Sequence, residues 1–91
     1  MTNEKKSMRK IHQLRCQSIY FDAVKERRKT AEVRLNDRDF RVGDIVELVR
    51  FMGDLGPFEP SIIREITHIL TSDEGPWLPS GYVMLSFGEA P

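Results

Sequence analysis

The chain changes its hydrophobic period several times, and each change marks an element. Ile11 to Cys16 alternates, with His12, Leu14 and Cys16 on one side and Ile11, Gln13 and Arg15 on the other, which predicts a short strand. Ser18 then stands as an N-cap before Ile19 to Arg27, where Tyr20, Val24 and Arg27 fall at helical spacing beside Phe21 and Ala23. From Lys29 the period returns to two. Ala31, Val33 and Leu35 are expected to form a core face, and Thr30, Glu32 and Arg34 a polar one. Asn36 to Asp39 and Gly43-Asp44 read as turns, the first because Asn and Asp side chains satisfy nearby backbone groups. Ile45 to Met52 is a strongly apolar strand, and Gly53 to Pro57 closes a hairpin onto an Ile-rich strand from Glu59 to Leu70. Thr71 to Ser80, with Gly75-Pro76 and Pro79, reads as a loop that lays Trp77 over an edge of the core; Gly81 to Phe87 is the last strand. The order β-α-β-β-β-β predicts a small α+β domain: five strands in a bent or closed sheet with one main helix.

Composition narrows this picture. Ninety-one residues make one domain. Residues 1–9 lack any period and read as a frayed arm, which leaves 10–91 as the folded unit. An apolar fraction of 40% and a charged fraction of 31% belong to a globular chain. No apolar run approaches the ~20 residues that cross a bilayer, and the polar start does not resemble a signal peptide. Cys16 is the single cysteine, so the chain holds neither an internal disulfide nor a zinc-ligand spacing. A cytoplasmic location is therefore expected, with no membrane partner, metal or cofactor. Net charge is zero but segregated: residues 1–41 hold twelve basic and six acidic side chains, and residues 42–91 hold two and eight. A basic face on a neutral molecule would attract phosphate, unless folding interleaves the two halves.

The run Arg27-Arg28-Lys29-Thr30-Ala31-Glu32-Val33-Arg34 resembles the Gly-x-Lys-x-x-Glu-x-Arg signature of the ASCH family, a branch of the PUA-like pseudo-barrels. Arg27 stands where the signature has glycine. The surroundings are similar to a small, often phage-associated branch of that superfamily. His12-Gln13-Leu14, Tyr20-Phe21, Asn36-Asp37-Arg38-Asp39-Phe40, Val42-Gly43-Asp44 and Gly81-Tyr82-Val83 follow in its order, over residues 11–88. The resemblance implies a PUA-like pseudo-barrel whose cleft handles RNA or a nucleotide.

The expected ligand-binding set is His12, Lys29, Thr30, Glu32, Arg34 and Arg38, with Tyr20, Trp77 and Tyr82 as base-stacking candidates. Arginine offers a planar fork to phosphate or carbonyl oxygens, lysine a compact charge. Several of these residues also have a plainer role. Thr30, Glu32 and Arg34 would form the solvated face of an amphipathic strand. His12 would be a hydrogen-bonded core histidine, and Arg38 would be held by neighbouring carboxylates. Related ASCH proteins include amidohydrolases of acylated cytidine-type nucleosides, whose nucleophilic threonine follows the signature lysine by three residues. Glu32 occupies that position here, which leaves Lys29 and Glu32 as the only catalytic candidates and turns the expectation from catalysis towards binding. The alternative to an RNA or nucleotide module is a protein-interaction accessory factor of a phage or mobile element.

Overall fold

The computed structural model describes residues 9–90, so all but the last residue of the expected arm lies outside the described residues. Five strands and one helix run as β1 (Ile11–Gln17), α1 (Ser18–Lys25), β2 (Ala31–Leu35), β3 (Ile45–Met52), β4 (Leu55–Thr71) and β5 (Tyr82–Glu89). A single 3-10 turn at Ser72–Glu74 precedes β5. The strands form one sheet in the order β1-β3-β4-β5-β2. Only β1 and β3 are parallel; their neighbours pair antiparallel. Parallel neighbours need a long crossover, and α1 with β2 supplies it. The result is a half-barrel of the α+β class, with β1 and β2 as its two edges.

The inner face carries the core. Leu14 and Cys16 from β1 meet Val46 and Leu48 from β3, Ile62 and Ile66 from β4, and Val83 and Leu85 from β5. Phe21 and Val24 of α1 close one end. Phe21, Leu14, Leu48, Ile66 and Leu85 are fully buried, and each contributes roughly 1.5–3 kcal/mol by leaving water.

Helix α1 is shorter than its periodicity suggested. Gln17, not Ser18, is its N-cap, and no side-chain bond forms there. Its end is set by backbone geometry. Arg27 takes a left-handed φ of 64°, its N–H donates to Val24 O at 3.0 Å, and Arg28 N–H donates to Ala23 O at 2.9 Å. These two bonds are the Schellman closure that glycine usually makes. Arg27 thus occupies a left-handed position that glycine takes at no steric cost.

Strand β4 starts at Leu55, earlier than expected, because Gly53-Asp54 alone forms the turn and Met52 pairs directly with Leu55. Gly56 has φ 134°, and a Cβ there would lie 2.7 Å from Arg50 O. Gly56→Ala is therefore expected to lower unfolding stability by about 1–2 kcal/mol in a denaturant titration. Trp77 does not cover the core. It is 66% exposed and lies over Gly75 instead, where an added Cβ would collide with its ring at 2.2 Å.

Candidate functional site

A half-barrel leaves a gap between its edge strands, and a cleft lies there. It measures about 660 Å³. Arg15, Cys16 and Gln17 of β1 form one side, and Lys29 with the whole of β2 forms the other. Tyr20 of α1 and Tyr82 and Met84 of β5 complete the wall.

The polar face of β2 points inward, opposite to expectation. Directly paired residues of an antiparallel ladder share a face. Glu32 opposes Leu85 and Arg34 opposes Val83, both buried core residues, while Val33 opposes Met84 and Leu35 opposes Tyr82. Accordingly the Glu32 side chain is 11% exposed, whereas Val33 and Leu35 are each 49% exposed. The physical reason is topology: β2 is an edge strand, and its inner face borders the gap instead of closed apolar core.

Charges can sit there because they satisfy one another. Lys29 Nζ donates to Glu32 Oε1 at 3.2 Å and to Ala31 O at 2.5 Å. Arg34 Nε donates to Glu32 Oε2 at 2.6 Å, and its Nη2 reaches across the gap to the carbonyl of Arg15 on β1. Arg34 thus ties the two sheet edges together through its guanidinium. Arg15 supplies only that carbonyl and its stem, since its own guanidinium stacks 3.9 Å from the Phe51 ring centre and donates to Gly53 O. Cys16 lies at the cleft floor, buried within the core cluster. Burial and the nearby Glu32 charge push its thiol up to about 11, against the opposing pull of Lys29 and Arg34. A thiol so placed stays protonated at neutral pH and is a poor nucleophile.

The remaining candidates fall elsewhere. His12 is buried at the foot of β1, where Nε2–H donates to Asp44 Oδ2 at 2.8 Å and the ring meets Phe40 edge-on at 4.8 Å. It therefore cannot meet a ligand, and the core role prevails over the cleft role. Arg38 donates to Gln13 O at 2.7 Å on the outer edge of β1, beyond the cleft lining. Thr30 lies one residue before β2 in a neighbouring pocket of about 190 Å³. No serine or threonine lines the main cleft, and Lys29 Nζ is bonded to Glu32 and the Ala31 carbonyl. Trp77 is absent from the lining, whereas Tyr20 and Tyr82 belong to it. Sequence reasoning missed the Arg15 carbonyl and Asp44. The one signal for Asp44 was its turn position after Gly43. Among the described residues no group of His, Cys, Asp and Glu could hold a metal, and no helix is long and apolar enough to cross a membrane.

Comparison with curated proteins finds no match. A family model described as "Domain of unknown function (DUF3850)" matches residues 11–87, from the first residue of β1 almost to the end of β5. The span takes in both edges of the cleft, every strand and the helix, and the chain therefore belongs to the DUF3850 family.

Proposed function

We propose that this chain is an ASCH-like, PUA-like module that binds single-stranded RNA or a nucleotide in the β1–β2 cleft. One observation carries the proposal: Lys29, Glu32 and Arg34 converge on one open cleft whose wall includes two tyrosines. Tyr20 is 51% exposed and Tyr82 36%, so either ring can present a face to a base. Among the described residues Arg34 Nη1 has no acceptor, which leaves that end of the fork for a phosphate or carbonyl oxygen. Among those residues Glu32 Oε1 accepts from Lys29 alone, which leaves it a lone pair for a base amino group, whereas Oε2 lies 2.6 Å from both Nε and Nη2 of Arg34. The same network argues for binding over acyl transfer, since the carboxylate is held by two cations and Lys29 Nζ donates to Glu32 and the Ala31 carbonyl.

Fluorescence anisotropy of a labelled single-stranded hexaribonucleotide tests this directly. Saturable binding is expected that weakens as salt rises, and Lys29→Ala should weaken it by roughly three- to tenfold. Absence of saturable binding at low salt and millimolar protein would sink the proposal.

A protein-docking accessory role is favoured by a separate observation: Met52, Leu55 and Phe58 are 56%, 68% and 40% exposed around the β3–β4 turn. Under that role Leu55→Ser would abolish binding of the partner protein in a pull-down while leaving RNA anisotropy unchanged. Retained partner binding in Leu55→Ser would remove this role.

A further inference from the structure

The smaller pocket beside the cleft has a composition of its own. Arg27, Thr30, Arg64 and Glu89 line it, with Phe87 at its base, and Lys29 is common to both cavities. Strand parity explains the adjacency. Thr30, exposed and one residue before β2, has the parity of Glu32 and Arg34, and its carbonyl accepts from Phe87 N–H at 2.8 Å. On the neighbouring pair Arg64 opposes Glu89. A volume of about 190 Å³ lies well below the roughly 300 Å³ at which drug-sized ligands begin to fit, so it suits a phosphate and not a base with its sugar.

Two arginines line this pocket and act on Glu89 at different range. Arg27 Nη2 donates to Glu89 Oε1 at 2.8 Å, and that bond, with the Arg27 charge and the more distant Arg64 charge, holds the Glu89 carboxyl below its usual range. Arg64 is itself fixed, donating to Val24 O at the end of α1 and to Ile63 O. The Arg27–Glu89 pair is exposed on both sides (65% and 60%), and exposed pairs are weak. Inorganic phosphate carries more charge and more acceptor oxygens than the carboxylate, and an RNA phosphodiester matches the carboxylate in both, so either can compete with the exposed Glu89 for Arg27.

We infer that Arg27, Arg64 and Thr30 form a phosphate subsite, held at rest by the Glu89 carboxylate, that takes the next phosphate of an RNA strand leaving the cleft past Lys29. This deepens the cleft proposal and rests on it for the strand. The subsite makes the preferred ligand an oligonucleotide and not a mononucleotide.

Two titrations test it. In the first, inorganic phosphate is added while backbone amide NMR shifts are followed. Thr30, Gly88 and Glu89 amides should move in the unmodified protein. They should move at several-fold lower phosphate in Glu89→Gln, and not at all in Arg27→Gln/Arg64→Gln. Arg27→Gln alone, at an exposed side chain, guards against a folding defect in the double variant. In the second, uridine monophosphate is compared with the trinucleotide UpUpU. The trinucleotide should bind roughly tenfold tighter. The double variant should lose that advantage without changing mononucleotide affinity, and its salt slope should shrink by roughly 0.7 per phosphate contact. No movement at Thr30 and Gly88 with phosphate, or a trinucleotide advantage that survives in the variants, overturns the subsite. If phosphate moves these amides while neither nucleotide enters the cleft, the cleft proposal fails and the anion site stands alone.

Discussion

Replacing Asp44 with alanine is expected to destabilise the domain by about 3 kcal/mol, because the carboxylate is a buried hub with several dependants. Its Oδ2 accepts from His12 Nε2 at 2.8 Å and from Arg41 N–H at 3.1 Å, and its Oδ1 accepts from Lys10 N–H at 3.2 Å. The Asp44 backbone carbonyl accepts from Ile66 N–H at 2.9 Å, so the same residue pins the start of β1, the 41–44 turn and β4. Alanine leaves His12 buried without its partner, and that desolvation is what makes the loss large. Urea or thermal unfolding monitored by circular dichroism measures it, and a loss under about 1 kcal/mol would contradict the hub role.

Asp44 also sets an acid dependence. Burial raises its carboxyl, but the bonds from His12 and from the Lys10 and Arg41 amides outweigh burial and hold it below the ordinary range. A carboxyl depressed on folding contributes stability above its unfolded pKa of roughly 4, and loses it as pH falls through the folded value. Between neutral pH and that limit the unmodified protein should lose stability with acid more steeply than Asp44→Ala.

Under the proposed cleft role, Arg34→Ala is expected to weaken nucleotide or RNA binding by roughly 10- to 100-fold, the largest functional effect of any single change. Stability should also fall by about 1–2 kcal/mol, since Glu32 loses a partner and the Arg15 carbonyl loses its donor. The side chain spans the gap between β1 and β2, so its removal unties two strands that no backbone ladder joins. Arg34→Lys separates the two effects. It keeps the charge beside Glu32 but has no fork to hold the Arg15 carbonyl and a ligand oxygen together. Much of the stability should return in the lysine variant while affinity stays low. Full affinity in Arg34→Lys would reduce the arginine to a point charge.

Local order was legible in the sequence wherever one period held. The alternation from Ile11 placed His12, Leu14 and Cys16 on the core side, and all three are buried. The same alternation in β2 separated Ala31, Val33 and Leu35 from Glu32 and Arg34 correctly but assigned the faces in reverse. Period fixes which residues share a side, while pairing with β5 fixes which side is inside. That pairing depends on residues fifty positions away, such as Leu85 opposite Glu32. The usual rule, apolar in and polar out, fails because the inner face of an edge strand borders a gap. His12 and Asp44 show the same limit: each was placed in its own element, but their contact joins segments 32 residues apart. The tyrosines could be singled out as stacking candidates, but only the fold separates Tyr20 and Tyr82 from Trp77.

Under the proposed function the β1–β2 cleft is the ligand site. Backbone amide NMR shifts during titration with a short single-stranded oligoribonucleotide at low salt test it most directly. The largest shifts should fall on Arg15 to Gln17, Lys29 to Leu35 and Tyr82 to Met84, and they should vanish in Arg34→Ala. Shifts confined to the β3–β4 hairpin, or none at millimolar ligand, would contradict it.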